Sequence, residues 1–150
     1  MRWFADRGHP VLGVDRDAGA LACASAFGQT VQADIENGPW PFDGEVFDAI
    51  VVTNYLWRER LPDIVQSVAP GGILLYETFA QGNGSVGKPS RPDFLLAPGE
   101  LLAACAGLRV IAYEDGFMGG PERFIQHIAA VRPLTFPGEN PPRYPLAAQE

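Results

Sequence analysis

The sequence has few basic residues and few residues that bind metals. Lys and Arg together number 11, against 18 Asp and Glu, which gives a formal net charge of −7. This balance argues against a nucleic acid or an anionic membrane as the main partner, because clustered positive charge binds both. Two cysteines and two histidines without paired spacing predict that the chain holds no metal.

Long hydrophobic runs and a secretory leader pattern are also missing. The longest apolar runs have the length of strands, well short of the roughly 20 residues that cross a bilayer. The first ten residues mix polar and aromatic side chains, unlike a signal peptide. The solitary Cys23 and Cys105 fit a reducing compartment. We therefore predict a cytoplasmic protein without a membrane partner.

In its overall composition the chain is typical of a globular protein. A chain of 150 residues with 47% hydrophobic and 19% charged residues predicts one domain with a sizeable core. Residues 133–150 differ, because they contain five prolines and little periodicity. We predict an α/β domain over residues 1–132 and a Pro-rich irregular tail over residues 133–150.

Strands and helices alternate along the predicted domain. Short apolar runs predict strands at 11–14, 30–33, 47–53, 73–76, 108–113 and 124–131. Capping residues and helical spacing predict helices at 2–7, 17–27, 61–68 and 98–106. We expect Pro70-Gly71-Gly72 to end the third helix, and Asp115-Gly116 and Gly119-Gly120-Pro121 to form the last turn. This order predicts an α/β, Rossmann-like fold, with a mostly parallel sheet, helices on both faces and an antiparallel edge strand.

Polar side chains stand where four successive predicted strands end: Asp15, Asp34, Asn54 and Glu77. Ligands of parallel sheets bind at the carboxyl ends of the strands. In nucleotide-binding domains an acid in the position of Asp15 accepts hydrogen bonds from ribose hydroxyls. His9 and His127 are at no strand end, and we assign them structural roles. The pattern therefore predicts a nucleotide cofactor.

Several motifs in this order resemble a known family. They are Gly13-Val14-Asp15, Ala33-Asp34, Phe47-Asp48 before an apolar strand, and Pro70-Gly71-Gly72 before the next strand. Together they resemble class I S-adenosylmethionine-dependent methyltransferases over residues 2–132, which implies the strand order 3-2-1-4-5-7-6. Segments 53–58, 76–79 and 92–96 resemble a small bacterial branch near the tellurite-resistance methyltransferases.

The resemblance implies S-adenosylmethionine as the cofactor and gives residues for its site. Asp15 would bind the two ribose hydroxyls, with Arg16 beside it. Asp34 would accept a hydrogen bond from the adenine amino group, with Ile35 against the ring. Asn54 and Tyr55 would contact the methionine end of the cofactor.

The methyl acceptor implied by the resemblance is a small molecule. Trp57, Arg58 and Glu77 would line its pocket, and the loop at 81–92 would cover it. Transfer from a sulfonium chiefly needs positioning of the two reactants, and a base only where the acceptor carries a proton. Tyr55 and Glu77 are the candidates for that base.

The sequence departs from the family pattern at its start. The first strand and its Gly-rich loop, which in the family lie between the strands at 11–14 and 47–53, are not present. We expect a shortened gene, direct pairing of those two strands, or a second chain that fills the gap in a homodimer. We favour the first of these, and expect cofactor binding and methyl transfer to be impaired.

Two other functions fit part of the pattern. Asp15 would also serve the ribose in a nicotinamide-dependent oxidoreductase, although the sequence has one lysine, Lys88, and no Tyr-x-x-x-Lys pair. A non-catalytic, methyltransferase-like module that binds a protein through an open sheet edge is the second alternative.

Overall fold

A computed structural model describes residues 1–134 and 142–144 of the chain. These fall into two compact units, residues 1–43 and the residues from 44 onward. Most of the predicted Pro-rich tail, residues 135–141 and 145–150, lies outside the described residues. The predicted domain boundary at residue 132 therefore stays a prediction. Among the described residues, no helix is long and apolar enough to cross a membrane.

The first unit is a helix followed by a strand–helix–strand segment. Its elements are α1 (Arg2–Ala5), β1 (Leu12–Asp15), α2 (Ala18–Ala24) and β2 (Gln29–Gln32). β1 and β2 pair in parallel, from Leu12 opposite Gln29 to Asp15 opposite Gln32. Helix α2 begins at Asp17, whose carboxylate accepts a 2.6 Å hydrogen bond from the Ala20 N–H. A side-chain acceptor at this position satisfies one of the unpaired donors of the first turn, so the predicted cap is confirmed.

The second unit contains a four-stranded sheet in the order β3-β4-β6-β5. Its strands are β3 (Phe47–Thr53), β4 (Val68–Phe79), β5 (Arg109–Gly119) and β6 (Glu122–Val131). β3 and β4 are parallel, whereas β6 is antiparallel to both β4 and β5. Its helices are α3 (Leu61–Gln66) and α4 (Glu100–Ala104). The α/β class is confirmed, and the two sheets reproduce the parts 3-2 and 4-5-7-6 of the expected strand order.

The core of the second unit lies on one face of this sheet. Along β4 the buried side chains are Leu74, Tyr76 and Thr78, which alternate with half-buried neighbours. Leu96 and Leu101, from the segment after β4, are completely buried. Alternation with a period of two is what a strand with one covered face requires.

The predicted role of Pro70-Gly71-Gly72 as a helix end is wrong. Helix α3 ends at Gln66, and the three residues lie inside β4, where the register shifts from Phe47 opposite Val68 to Ala49 opposite Ile73. The side chain of Arg132 donates to the carbonyls of Val65 and Val68, at 2.7 and 2.6 Å. These bonds satisfy carbonyls at the helix end that a breaker would leave to solvent.

Two further expectations about strands are wrong. Of the predicted last turn, Asp115-Gly116 lies within β5, whereas Gly120-Pro121 connects β5 to β6, which pair as far as Gly119 opposite Glu122. The direct pairing of the strands near residues 11 and 47 is not found, since in the described residues β1 and β3 belong to different sheets.

The loop at 81–92 is held at its start by a buried amide. The Asn83 side chain is 1% exposed; its Nδ2 donates to the Pro89 carbonyl at 3.0 Å, and its Oδ1 accepts from the Phe124 N–H at 3.1 Å. Gly82 beside it has a positive φ of 102°, and a side chain there would collide with the Phe124 ring. The amide therefore ties the loop to β6.

We expect Asn83→Ala to lower the free energy of unfolding by about 2–4 kcal/mol, because two partly buried backbone groups lose their partners. Urea unfolding followed by circular dichroism measures the change. Ser85→Ala, which removes an exposed hydrogen bond in the same loop, serves as the control and should cost less than about 0.5 kcal/mol. Equal costs for the two variants would contradict the anchoring role.

Candidate functional site

In the first unit, Asp15 ends β1 with its carboxylate exposed. One oxygen, Oδ1, accepts a 2.9 Å hydrogen bond from the Asp17 N–H. Within the part of the chain that the structure describes, the second oxygen makes no hydrogen bond. The turn thus fixes the carboxylate by one oxygen and leaves the other as an acceptor for a ligand.

Asp34 follows β2 at the same edge, where the Ala33 N–H donates to the Asp15 carbonyl at 3.0 Å. Its carboxylate accepts from the Asn37 side chain at 3.0 Å and from the backbone N–H groups of Asn37 and Glu36. These bonds, that from the Asn37 side chain foremost, lower the pKa of Asp34. The group is therefore an ionised acceptor near neutral pH.

Arg16 and Ile35 follow these two acids. Arg16 forms a 3.3 Å ion pair with Glu36, and Ile35 is half-buried. The first unit therefore brings together all four residues that were predicted to hold the nucleoside part of a cofactor.

In the second unit, the exit from β3 is fixed to β4 by two hydrogen bonds. Asn54 has a left-handed φ of 54°, and its N–H donates to the Glu77 carbonyl at 2.9 Å. Asn tolerates this conformation better than most residues. The Tyr76 hydroxyl donates to the Tyr55 carbonyl at 2.8 Å, and burial raises the pKa of Tyr76. Asn54, Tyr55 and Glu77 therefore lie together at the carboxyl ends of β3 and β4.

Arg58 is held by several structural partners. Its guanidinium donates to both carboxylate oxygens of Glu100, at 2.7 and 3.0 Å, and to the carbonyls of Asp93 and Leu95. Burial alone would raise the pKa of Glu100, but the Arg58 hydrogen bonds and one from the Ala97 N–H outweigh it and lower that pKa. Arg58 thus joins the segment after β3 to helix α4.

Trp57, beside it, has a buried indole N–H without a hydrogen-bond partner in the described ranges. The roles of Trp57 and Arg58 toward a methyl acceptor stay predictions.

Glu77 contacts His127, a residue that the sequence did not indicate as part of the site. Its Oε2 lies 3.6 Å from Nδ1 of His127, and its Oε1 lies 3.5 Å from Nη1 of Arg123. His127 in turn contacts Glu114, with 2.8 Å between Nε2 and Oε2. The antiparallel register of β4 and β6 puts Glu77 opposite His127. No motif in the sequence indicates that register. Among the described residues, no cluster of His, Cys, Asp and Glu has the arrangement of a metal site.

The profile of a family described as a methyltransferase domain matches residues 1–76, just over half of the 150 residues. The chain belongs to the methyltransferase domain family. No curated protein sequence matches it.

Solved structures of several other methyltransferases share the fold of this chain. TehB from Haemophilus influenzae has a TM-score of 0.63 at 21% identity, over 87% of this chain and 52% of that one. An S-adenosylmethionine-dependent methyltransferase from Mesorhizobium loti has a TM-score of 0.65 at 18% identity, over 87% and 84%. The N-methyltransferase NodS from Bradyrhizobium japonicum gives 0.59 at 17%, over 83% and 74%.

The chain therefore spans about half the length of the TehB structure. The predicted resemblance to class I S-adenosylmethionine-dependent methyltransferases is confirmed at the level of the family profile and the fold. The bacterial branch stays a prediction.

We expect Arg58→Ala to lower the free energy of unfolding of the methyltransferase domain by about 1–3 kcal/mol, because Glu100 and two carbonyls lose their hydrogen bonds from the guanidinium. Chemical unfolding measures the loss. Arg91→Ala, which breaks the exposed pair with Asp93, is the matched control and should cost less than about 1 kcal/mol. A cost for Arg58→Ala no larger than that of the control would refute the structural role.

The Arg58–Glu100 pair predicts that the free energy of unfolding depends on pH. The folded-state pKa of Glu100 is lowered, so its contribution is fully present above the ordinary carboxyl pKa of 4.5 and is lost as the pH falls toward the lowered value. The difference in unfolding free energy between the wild type and Glu100→Gln should therefore shrink as the pH falls through this range. Glu45→Gln, an exposed substitution, provides the control. A difference that is constant with pH would argue against the pair.

Proposed function

We propose that the chain binds S-adenosylmethionine and serves methyl transfer to a small molecule. The observation that carries this proposal is the pair of carboxylates, Asp15 and Asp34, at the ends of two adjacent parallel strands in a methyltransferase domain. The mesorhizobial neighbour is named as S-adenosylmethionine-dependent, and NodS has been solved with S-adenosyl-L-homocysteine.

The residues of the first unit fit the nucleoside of this cofactor. The unbonded oxygen of Asp15 suits a ribose hydroxyl, since a carboxylate accepts strong hydrogen bonds. Asp34 accepts three hydrogen bonds and has room for about one more, which suits the adenine amino group. Ile35 would contact the ring, and Arg16 would border the ribose.

We assign the methionine end of the cofactor and the methyl acceptor to the second unit. Asn54 and Tyr55 are proposed for the methionine end, because they stand at the carboxyl end of β3. Trp57, Arg58 and Glu77 are proposed to border the acceptor, with Tyr55 and Glu77 as candidate bases. The guanidinium of Arg58 already donates to four acceptors. It would therefore contact the methyl acceptor as part of the pocket wall, without forming new hydrogen bonds to it.

Two alternatives make different predictions. A nicotinamide-dependent oxidoreductase would use Asp15 for NAD, whereas a non-catalytic module would bind neither nucleotide. We also propose that the protein is cytoplasmic, that it forms a homodimer, and that its activity is impaired, as we expect from the sequence. The family membership favours S-adenosylmethionine over NAD.

We expect Asp15→Asn to weaken binding of S-adenosylhomocysteine about tenfold or more, because hydrogen bonds to a charged group contribute about 1.5–3 kcal/mol. Isothermal titration calorimetry on the whole chain measures the change. Asp43→Asn, an exposed acid of the same unit, is the matched control and should bind like the wild type. Binding of NAD in place of S-adenosylhomocysteine would refute the proposal, and binding of neither would favour the interaction module.

A further inference from the structure

Gln32 ends β2 directly beside the acid that ends β1. The register of the two parallel strands places Gln32 opposite Asp15. The next residue, Ala33, donates its N–H to the Asp15 carbonyl at 3.0 Å. The side chain of Gln32 also crosses between the strands, because its Nε2 donates to the Arg16 carbonyl at 3.1 Å. A side chain of β2 therefore holds the backbone that follows the proposed ribose acceptor.

The peptide unit that Gln32 contacts also holds the Asp15 side chain. The Arg16 carbonyl and the Asp17 N–H are the two ends of this one unit, and the Asp17 N–H donates to Oδ1 of Asp15 at 2.9 Å. Because a peptide unit is planar, a hydrogen bond to its oxygen restrains the direction of its N–H. Consecutive hydrogen bonds of this kind also polarise one another. The bond from Gln32 is therefore passed on to the Asp15 carboxylate.

The orientation of this carboxylate decides which oxygen a ligand meets. Oδ1 of Asp15 is engaged, whereas the other oxygen accepts no hydrogen bond from the residues that the structure describes. The final torsion of an Asp side chain is broad, so an unrestrained carboxylate rotates readily. Hydrogen bonds weaken steeply when their angle is poor. An acceptor that is held in one direction therefore binds a hydroxyl more tightly than one that rotates.

The side chain of Arg16 has a partner after β2 as well. Its Nη1 lies 3.3 Å from Oε2 of Glu36. This ion pair is exposed at the arginine, and exposed pairs contribute little. It also acts at the far end of a long side chain, several rotatable bonds away from the peptide unit. The hydrogen bond from Gln32 is therefore the contact that restrains the peptide unit itself.

We propose that Gln32 is a positioning residue for S-adenosylmethionine. Through the peptide unit between Arg16 and Asp17, it holds the unbonded oxygen of Asp15 in the direction of a ribose hydroxyl. This inference rests on the cofactor binding proposed above, and it adds the residue that gives the ribose acceptor its direction. Gln32 acts through Asp15, so a contact between Gln32 and the cofactor is not required.

The variant Gln32→Met tests this role, because it removes the donor at a similar side-chain length. Isothermal titration calorimetry compares S-adenosylhomocysteine with its 2′,3′-dideoxyribose analogue, which lacks both hydroxyls. In the wild type the hydroxyls should strengthen binding about tenfold or more. In Gln32→Met this ratio should fall about threefold, whereas the affinity for the dideoxy analogue should not change. A residue that only stabilises the fold would weaken both ligands equally and leave the ratio unchanged.

The same strand provides a matched control. Gln29 is also an exposed glutamine of β2, but it lies at the other end of the strand, opposite Leu12. Gln29→Met should therefore keep the wild-type ratio of the two affinities. Circular dichroism of both variants shows whether they are folded.

A second measurement needs no ligand. Amide hydrogen exchange by NMR reports how firmly the Asp17 N–H is held by Asp15. In Gln32→Met the Asp17 N–H should exchange about threefold faster than in the wild type, because its peptide unit has lost a restraint. The Ala20 N–H, which donates to the Asp17 side chain at 2.6 Å, serves as the internal control and should exchange at the wild-type rate.

The outcomes separate this inference from the proposed function. If the wild type binds S-adenosylhomocysteine but Gln32→Met keeps the ratio of affinities, the role of Gln32 is overturned and the proposed function stands. Unchanged exchange of the Asp17 N–H in Gln32→Met overturns the role of Gln32 in the same way. A wild type that fails to bind S-adenosylhomocysteine overturns the proposed function, and this inference with it.

Discussion

The parallel pairing of β3 with β4 is the constraint on which the second unit depends. From Ala49 opposite Ile73 to Thr53 opposite Glu77, it sets which side chains share the carboxyl edge of the sheet. Two bonds beyond the ladder, from the Asn54 N–H and the Tyr76 hydroxyl, fix where the chain leaves that edge. A slip of one residue would turn Glu77 to the buried face and remove its contact with His127.

The sequence predicted those features that depend on neighbouring residues. Continuous apolar runs mark β1 and β3, although in the described residues β3 is not buried on both faces, since Val51 is exposed. Asp17 marks the start of α2, because its carboxylate reaches only the first turn. The acids at the strand ends were found in the same way: Asp15 is the last residue of β1, Asp34 lies two residues after β2, and Glu77 lies near the end of β4.

Features that depend on distant residues were missed. The end of α3 at Gln66 is stabilised by Arg132, and β4 runs through a Pro-Gly-Gly segment that in isolation is typical of a turn. The pair Glu77–His127 depends on the register of two strands that lie about 50 residues apart in the chain. The structural partners of Arg58 are likewise carbonyls in a later segment, which no motif around Arg58 indicates.

The buried amide of Asn83 makes the chemical stability of the chain depend on its fold. Asn83 precedes Gly84, and an asparagine followed by glycine readily cyclises and hydrolyses to aspartate in a flexible peptide. In the folded protein both ends of the amide are engaged and shielded from water, which opposes that reaction. A molecule that has unfolded for long enough would carry a carboxylate there, with no donor for Pro89, and would refold with lower stability. The fraction of molecules with aspartate at position 83 therefore increases with the time that the protein has spent unfolded.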